Sequence, residues 1–592
     1  MAFKDIQRFV RYLEERGELL RVGAKVSAEL EITEIADRVM KAHGPAILFE
    51  NVENSAFPVL INAFGSPWRM AAAIGSNSLE GAGEDIAKLV NFGRYLKVRE
   101  AIKSAPGLSR LLAVFPMRVR RGACQEVVEE PDLHTLPVLK CWPGDAGRFF
   151  TLPLVFTKDP DTGQQNIGMY RMQIFDKKST GMHWHLHKDG QEIFEKYRAR
   201  KLKMPVSVVV GADPATVYAS TAPLPKMLDE LLFAGYLRRR PVPVVKCVTN
   251  DIRVPANAEF VLEGYVDPSE TRLEGPFGDH TGYYSLAGLY PVFHVVKITR
   301  RRNPVYMATI VGRPPMEDCF MAKATERLFL PLLRMMTPEI IDMSLPLEGV
   351  FHNCAIISID KRFPGHGRKV MNALWGMGQM MYTKMIVVVD KSVNPHDYKA
   401  VGRAAFGVDV ERDLVVSDGP LDALDHASPQ RFYGARLGID ATKKLPGEFA
   451  EDGAPPSVAD LSEIADIREV VHGVHDAAYP IPGLAFLVVA IDKQRPHQAR
   501  EALEKLIHHA KITVIVDKDV PPSHLSTVTW KVFNNIDARR DLTIIDKRLG
   551  IDATKKLPEE GCREWPDDIV MSADIKDRVD RRWEEFGIDL KR

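Results

Sequence analysis

Residues 166–189 read Asn166-Ile-Gly-Met-Tyr-Arg-Met-Gln-Ile-Phe-Asp-Lys-Lys-Ser-Thr-Gly-Met-His-Trp-His-Leu-His-Lys-Asp189. Two runs flank a polar turn at Asp176–Ser179, the pattern of a β-hairpin. Arg171 lies inside the first, largely apolar run, where a buried guanidinium needs an anionic partner. The acidic candidates are Glu274 and Asp279, in Glu274-Gly-Pro-Phe-Gly-Asp279-His280.

Around this stretch, residues 116–315 hold many short strand-like runs punctuated by Pro, Gly, Asp and Asn. Only one helix pattern stands out among them, near Pro225–Arg238. That density predicts a barrel or a folded-over sheet, and barrel mouths are common ligand sites. Residues 1–115 alternate helix and strand, with a long helix over Glu84–Lys103 and a linker from Ser104, and read as an α+β domain. Residues 316–450 contain a strand–helix–strand unit, hence a parallel sheet. Residues 451–592 repeat it. Arg-Leu-Gly-Ile-Asp-Ala-Thr-Lys-Lys-Leu-Pro occurs at 436–446 and identically at 548–558, and three further blocks match in the same order. The fold class is therefore a multidomain α+β and α/β chain with its last α/β unit in duplicate.

The chain has 592 residues, zero formal net charge and an ordinary apolar fraction of 45%. These values point to no nucleic-acid surface. No apolar run is long enough for a membrane span. The amphipathic start is not a signal peptide. Six scattered cysteines imply reduced thiols and a cytoplasmic protein.

NIGMYRMQ, EGPFGDHTGYY (274–284), GRPPMED (312–318) and LGIDATKKLPGE (437–448) resemble the UbiD-type decarboxylase family, in order over about residues 1–450. The resemblance implies an N-terminal α+β domain, a split β-barrel like that of flavin reductases and an α/β C-terminal domain. It implies prenylated FMN, a divalent metal (Mn²⁺, or Mg²⁺), often K⁺, and reversible decarboxylation of aromatic or α,β-unsaturated acids. A small aromatic acid as substrate, a flavin prenyltransferase as cofactor supplier and a homo-oligomer, dimer or hexamer, follow as expected partners. The duplicated unit and the ending Arg563-Glu-Trp-Pro-Asp-Asp-Ile-Val-Met-Ser572 resemble the longer branch associated with menaquinone biosynthesis. That branch implies a dihydroxynaphthoate-type substrate, with a ubiquinone-type hydroxybenzoate as the alternative.

Site residues follow by position. Arg171 would grip the substrate carboxylate through paired hydrogen bonds. Glu274 and Asp279 would face opposite ways on a straight strand, but a turn at Gly275–Gly278 could bring both to one point. The resemblance makes Asp279 the proton donor and Glu274 its support. Asn166, His187 and Glu230 are the metal candidates, a set suited to a hard cation. Asn166 and Arg171 have opposite strand parity, which a bulge at Gly168 would reconcile. Met169, Tyr170, Arg171, His183, Trp184, His185, Lys188, Asp189 and Lys384 are expected around the flavin, Lys384 towards its phosphate. Two rival readings remain. His183, His185 and His187 share a strand face and suggest a zinc hydrolase, although their spread is too long for one ion unless the strand bends. A prenylated-flavin store without turnover would need no proton donor.

Overall fold

The opening helix, Ile6–Glu15, buries Ile6, Phe9, Val10 and Leu13 on one face, and Asp5 caps it by accepting from the Arg8 amide at 2.9 Å. Gly17, at φ 69°, ends it in the left-handed conformation. The computed structural model describes residues 3–94, 114–186, 188–226, 228–448, 464–471 and 473–590. The strands Leu19–Val26, Ala46–Val52, Val59–Ile61 and Tyr306–Met307 form one sheet in that order. The expected helix over 84–103 is seen as Leu79–Arg94. Its later part and the linker from Ser104 lie outside the described residues.

The β-rich region forms an open seven-stranded sheet. Its path runs Ser179–Gly181, Gly288–Arg300, Phe260–Glu274, Met204–Val210, Pro153–Lys158, Gln165–Met169, with Val127–Glu129 added against Gly288–Arg300. No closed barrel forms among the described residues. The two longest strands shift register between Glu263 and Gly264 and again between Val266 and Thr271. A Cβ on Gly264 would lie 1.9 Å from the His294 carbonyl oxygen, so this close approach requires glycine. Two helices missed by the sequence reading, Asp189–Arg200 and Pro214–Ala219, interrupt the strands. The first buries only Gly190, Ile193, Phe194 and Tyr197 among polar neighbours, too few for a clear helical period.

Residues 166–189 depart from a simple hairpin. Gln165–Met169 pairs with Pro153–Lys158 in unbroken register, so no bulge sits at Gly168. The strand stops instead at Tyr170–Arg171 and resumes as Met172–Gln173 against Phe149–Phe150. Gly168 serves the Tyr170 side chain: a Cβ there would fall 2.3 Å from its ring. The turn itself closes as expected, with the Phe175 amide donating to Ser179 O at 3.0 Å.

The molecule divides into two compact units, Met1–Phe329 with Asp567–Arg592, and Leu330–Pro566. The last residues, read from sequence as the end of the duplicated unit, thus pack with the first. Within the second unit the duplication is complete in topology. The sheet Ile340–Ser344, Cys354–Ile359, Met385–Asp390, Tyr433–Asp440, Leu414–Pro420 is repeated by Val474–Ala478, Phe486–Ile491, Ile512–Asp517, Arg548–Asp552, Leu542–Ile545. Each has two central parallel pairings between antiparallel edges. The copies share a core that includes Met385, Val408 and Leu437 from one and Val488, Val514 and Ile551 from the other. Their contact is reciprocal. Lys384 Nζ donates to Asn534 O at 3.1 Å, and Lys511 Nζ donates to Phe406 O. Both acceptors precede the matching Arg-Asp-Leu by the same number of residues, so the pair has the self-complementarity of a two-fold interface inside one chain.

Candidate active site

The break at Tyr170–Arg171 frees Arg171 from strand parity and lets its guanidinium enter the same buried space as Glu274 and Asp279. Arg171 Nη1 pairs with Asp279 Oδ2, Nη2 donates to Ser285 Oγ at 2.8 Å, and Nε lies 3.5 Å from Glu274 Oε1. Its Cζ sits 4.8 Å from the Phe277 ring centroid, a cation–π contact that orients the fork. Glu274 ends the long strand Phe260–Glu274 and is 1% exposed. Its carboxylate occupies space left by Gly181, where a Cβ would fall 2.2 Å from Oε2. Glu274 Oε1 also meets His183 Nδ1 at 2.6 Å, and His183 Nε2 meets His185 Nε2 at 2.6 Å.

The turn between the two carboxylates is pinned along its length. Gln173 Oε1 accepts from the Gly275 amide at 2.8 Å and Asp145 Oδ1 from the Gly278 amide at 2.7 Å. Asp279 Oδ1 accepts from the His280 amide at 2.9 Å and lies 3.0 Å from its Nδ1. Two carboxyls in one buried cluster then diverge. Burial pushes Glu274 up to about 7, against the pull of Arg171. Burial also acts to raise Asp279, but Arg171 and His280 outweigh it and hold this group well below the usual carboxylate range. Glu274 is therefore the carboxyl with the higher proton affinity, and Asp279 is the ionised partner of Arg171.

The site residues fit a bound polar group. Buried polar atoms without a hydrogen-bond partner are rare, yet Asn166 Oδ1, Arg171 Nε, Trp184 Nε1 and Glu274 Oε2 are all of this kind. Trp184 meets Tyr170 edge-on, with centroids 6.5 Å apart, and lies over Gly190. Lys188 and Asp189 begin the helix Asp189–Arg200, and Met169 packs on the core of the first unit. Of the metal candidates, Asn166 Nδ2 donates to Glu230 Oε1 at 2.9 Å, and the Ile167 amide to Oε2 at 3.3 Å. Asp229 caps the helix Glu230–Arg238 and so fixes Glu230 in its first turn. Burial pushes Glu230 up to about 7. A divalent cation beside Asn166 Oδ1 would hold that carboxylate ionised. His187 lies outside the described residues.

Lys384 is a correction. It is 3% exposed within the second unit, and its ammonium is 2.6 Å from Asp425 Oδ2 as well as bonded to Asn534 O. Burial of an ammonium demands such partners, and they leave it joining the two copies rather than reaching for a phosphate. Sequence reasoning missed Ser285, Phe277, His280, Gln173 and Asp145. Ser285, Phe277 and His280 lie within or beside the quoted EGPFGDHTGYY motif, which was the available signal. Gln173 closes the quoted NIGMYRMQ motif, whereas Asp145 carries no signal, because its role is to hold amides of a distant turn.

Family models match nearly the whole chain. The 3-octaprenyl-4-hydroxybenzoate carboxy-lyase N-terminal domain matches residues 10–89, the Rift-related domain 117–314, and the C-terminal domain 319–441 and 458–561. An uncharacterised protein of Archaeoglobus fulgidus is 50% identical over 461 residues, covering 77% of this chain and 95% of its own. Among solved structures, vanillic acid decarboxylase of Sedimentibacter hydroxybenzoicus in closed form is similar, with a TM-score of 0.69 and 25% identity over 78% of this chain and 97% of that one. HmfF of Pelotomaculum thermopropionicum, a UbiD-class enzyme in complex with FMN, gives 0.65 and 29% over 78% and 99%. An evolved dimeric form of HmfF is in complex with prFMN. The three-domain match, the half-identical relative and the shared fold together place this chain in the UbiD family of carboxy-lyases.

Proposed function

We propose that the protein catalyses reversible, non-oxidative decarboxylation of an aromatic carboxylic acid with prenylated FMN. The observation that carries this reading is one buried guanidinium, Arg171, lying between two carboxyls whose proton affinities are driven apart. Arg171 receives the substrate carboxylate through its planar fork. A second carboxylate at Arg171 competes with Asp279 for its charge and adds a negative neighbour. Both changes raise the proton affinity of Asp279, so substrate binding loads it with a proton. Asp279 then delivers that proton to the carbon that has lost CO₂. Glu274, bonded to His183 and raised in proton affinity by burial, can take up a proton and so limits the net charge of the cluster while a second anion enters. Ser285 and Phe277 hold the guanidinium in plane.

Prenylated FMN, when bound, supplies the electron sink for carbon–carbon cleavage. Met169, Tyr170, His183, Trp184, His185, Lys188 and Asp189 would hold it. Asn166 and Glu230, with His187, would hold Mn²⁺ or Mg²⁺, with K⁺ as a further ion. The ending 563–572 supports a dihydroxynaphthoate-type acid in quinone biosynthesis. The likeness to vanillic acid decarboxylase supports a hydroxybenzoate-type acid instead. A flavin store is disfavoured because it has no use for the paired carboxyls. A cytoplasmic homo-oligomer is part of this reading, and the dimeric form of HmfF supports the oligomer.

The test is turnover of protein co-produced with a flavin prenyltransferase, against dihydroxynaphthoate-type and hydroxybenzoate-type acids. CO₂ release that requires the bound flavin and manganese is the expected result. Flavin-loaded protein that neither releases CO₂ nor exchanges the product-carbon proton with any of these acids overturns the reading.

A further inference from the structure

We propose that the C-terminal strap Asp567–Ile569 is a positioning element for the acid-bearing turn Asp279–Tyr284. This rests on the role given to Asp279 above. The strap lies beyond residue 561, where the family match ends. It pairs with the turn through one isolated antiparallel bridge. The Tyr284 amide donates to Asp567 O at 3.0 Å, the Ile569 amide donates to Gly282 O at 2.9 Å, and Tyr283 bridges Asp568. The turn's own closure runs through the same residues. The Asp279 amide donates to Tyr283 O at 3.1 Å and the Gly282 amide to Asp279 O at 3.0 Å. The strap therefore fixes Tyr283 from one side while Tyr283 fixes Asp279 from the other. Ile569 Cδ1 lies 3.1 Å from where a Gly278 Cβ would stand, so its side chain closes over the residue next to Asp279.

The strap is anchored rather than merely adjacent. It leads into the helix Ala573–Arg582, which buries Ile575 and Val579. Arg582 Nη1 pairs with the buried Glu31 at 2.6 Å and Nη2 donates to Lys25 O at 2.9 Å, while Asp580 pairs with Arg38. Asp279 must meet both Arg171 and the reacting carbon, and a misplacement of about 1 Å can cost roughly 10²-fold in rate. A tether on the turn thus acts on turnover, through the placement of Asp279.

Full-length, flavin-loaded Ile569→Pro removes the donor to Gly282, and Ile569→Ala keeps it. Arg582→Ala, made separately, loosens the anchor without touching the strap. The readouts are amide hydrogen exchange at residues 279–284, and kcat and KM taken apart. For Ile569→Pro, exchange at Asp279 and Tyr284 should rise roughly tenfold or more. Its kcat should fall by about 10–10² with KM within about threefold and flavin content unchanged. Ile569→Ala and Arg582→Ala should shift the same readouts in the same direction by less. Unchanged protection at 279–284 in both Ile569→Pro and Arg582→Ala overturns the proposal, and Arg582→Ala alone decides if the proline variant does not fold. Wild-type protein without turnover would defeat the decarboxylase reading, while the exchange data would still decide the strap.

Discussion

This chain holds two kinds of buried ionic cluster, one in each compact unit, and they differ in how completely they are satisfied. In the second unit Lys361 Nζ bonds Thr442 Oγ1 at 3.0 Å, Lys443 O at 2.9 Å and Glu448 Oε2 at 2.6 Å. In the duplicate, Lys493 Nζ bonds Thr554 Oγ1 at 3.2 Å, Lys555 O at 2.9 Å and Glu560 Oε2 at 2.5 Å. Each glutamate also accepts a backbone amide on its other oxygen, from Gly365 at 3.1 Å or His497 at 2.9 Å. The identical segment thus supplies a threonine hydroxyl and a lysine carbonyl to one network built twice. Burial acts to raise both glutamates, but the lysine and the amides outweigh it and hold them below the usual range. The Arg171 cluster is the opposite case. It leaves Arg171 Nε and Glu274 Oε2 unbonded, gives one guanidinium two carboxyls, and drives their proton affinities apart. A fully satisfied network fixes a structure; one that keeps open valences and divided proton affinities is prepared for a further anion and a proton transfer.

The comparison breaks if the two kinds of cluster respond alike to mutation. Arg171→Ala should give the largest change, a loss in kcat/KM of about 10³-fold from the roughly 2–5 kcal/mol set by truncating one partner of a buried charge pair. It also strands the Asp279 carboxylate and so should cost stability too; steady-state kinetics on the folded fraction beside a melting curve separates the two effects. Lys493→Met should show only the second. It strands a buried carboxylate and should cost about 3–5 kcal/mol of stability, read from urea unfolding, while the folded fraction keeps its activity.

The pH dependence should separate the clusters by sign. Between pH 4.5 and about 7 the unfolded chain gives up the Glu274 proton that the folded protein keeps. Stability therefore falls as pH rises through that window, by about 3 kcal/mol. Glu274→Gln should remove this slope, and so gain on wild type as pH rises. Glu448 is lowered in the folded state, so its contribution is present above pH 4.5 and is lost as pH falls. Glu448→Gln should thus lose most against wild type at neutral pH. Denaturant midpoints at pH 5 and pH 8 check both signs. The smallest effect is expected from Thr554→Val, which removes one acceptor from Lys493 and should cost about 1 kcal/mol with no change in turnover.

Much of this contrast was legible in the sequence, and the remainder was hidden for physical reasons. Local patterns exposed the opening helix, the β-rich middle and the duplication, because periodicity and identity need no partner. The resemblance of two motifs to one family brought Arg171, Glu274 and Asp279 to one place although Arg171 and Asp279 are 108 residues apart. Strand parity set Asn166 against Arg171 only because nothing local marks the stop at Tyr170. Lys384 sits at a strand entry and looks available. Its real partners, Asp425 and Asn534, belong to a turn and to the other copy, and no local pattern announces them. The return of residues 567–592 to the first unit rests on two backbone bonds of the strap, a few ion pairs and buried residues such as Met571, Ile575, Val579 and Phe586, scattered through a polar stretch that assigns no packing partner.

The account's central claim is that Asp279 protonates the carbon left by CO₂. Its most direct test is deuterium incorporation at that product carbon in D₂O. The protein is co-produced with a flavin prenyltransferase, and wild type is compared with Asp279→Asn at matched flavin and manganese content. The account predicts exchange by wild type and a loss of roughly 10²–10⁴ in the variant, the range for a general acid. Wild-type exchange by Asp279→Asn at equal cofactor loading would contradict it and move the donor role to Glu274 or to water.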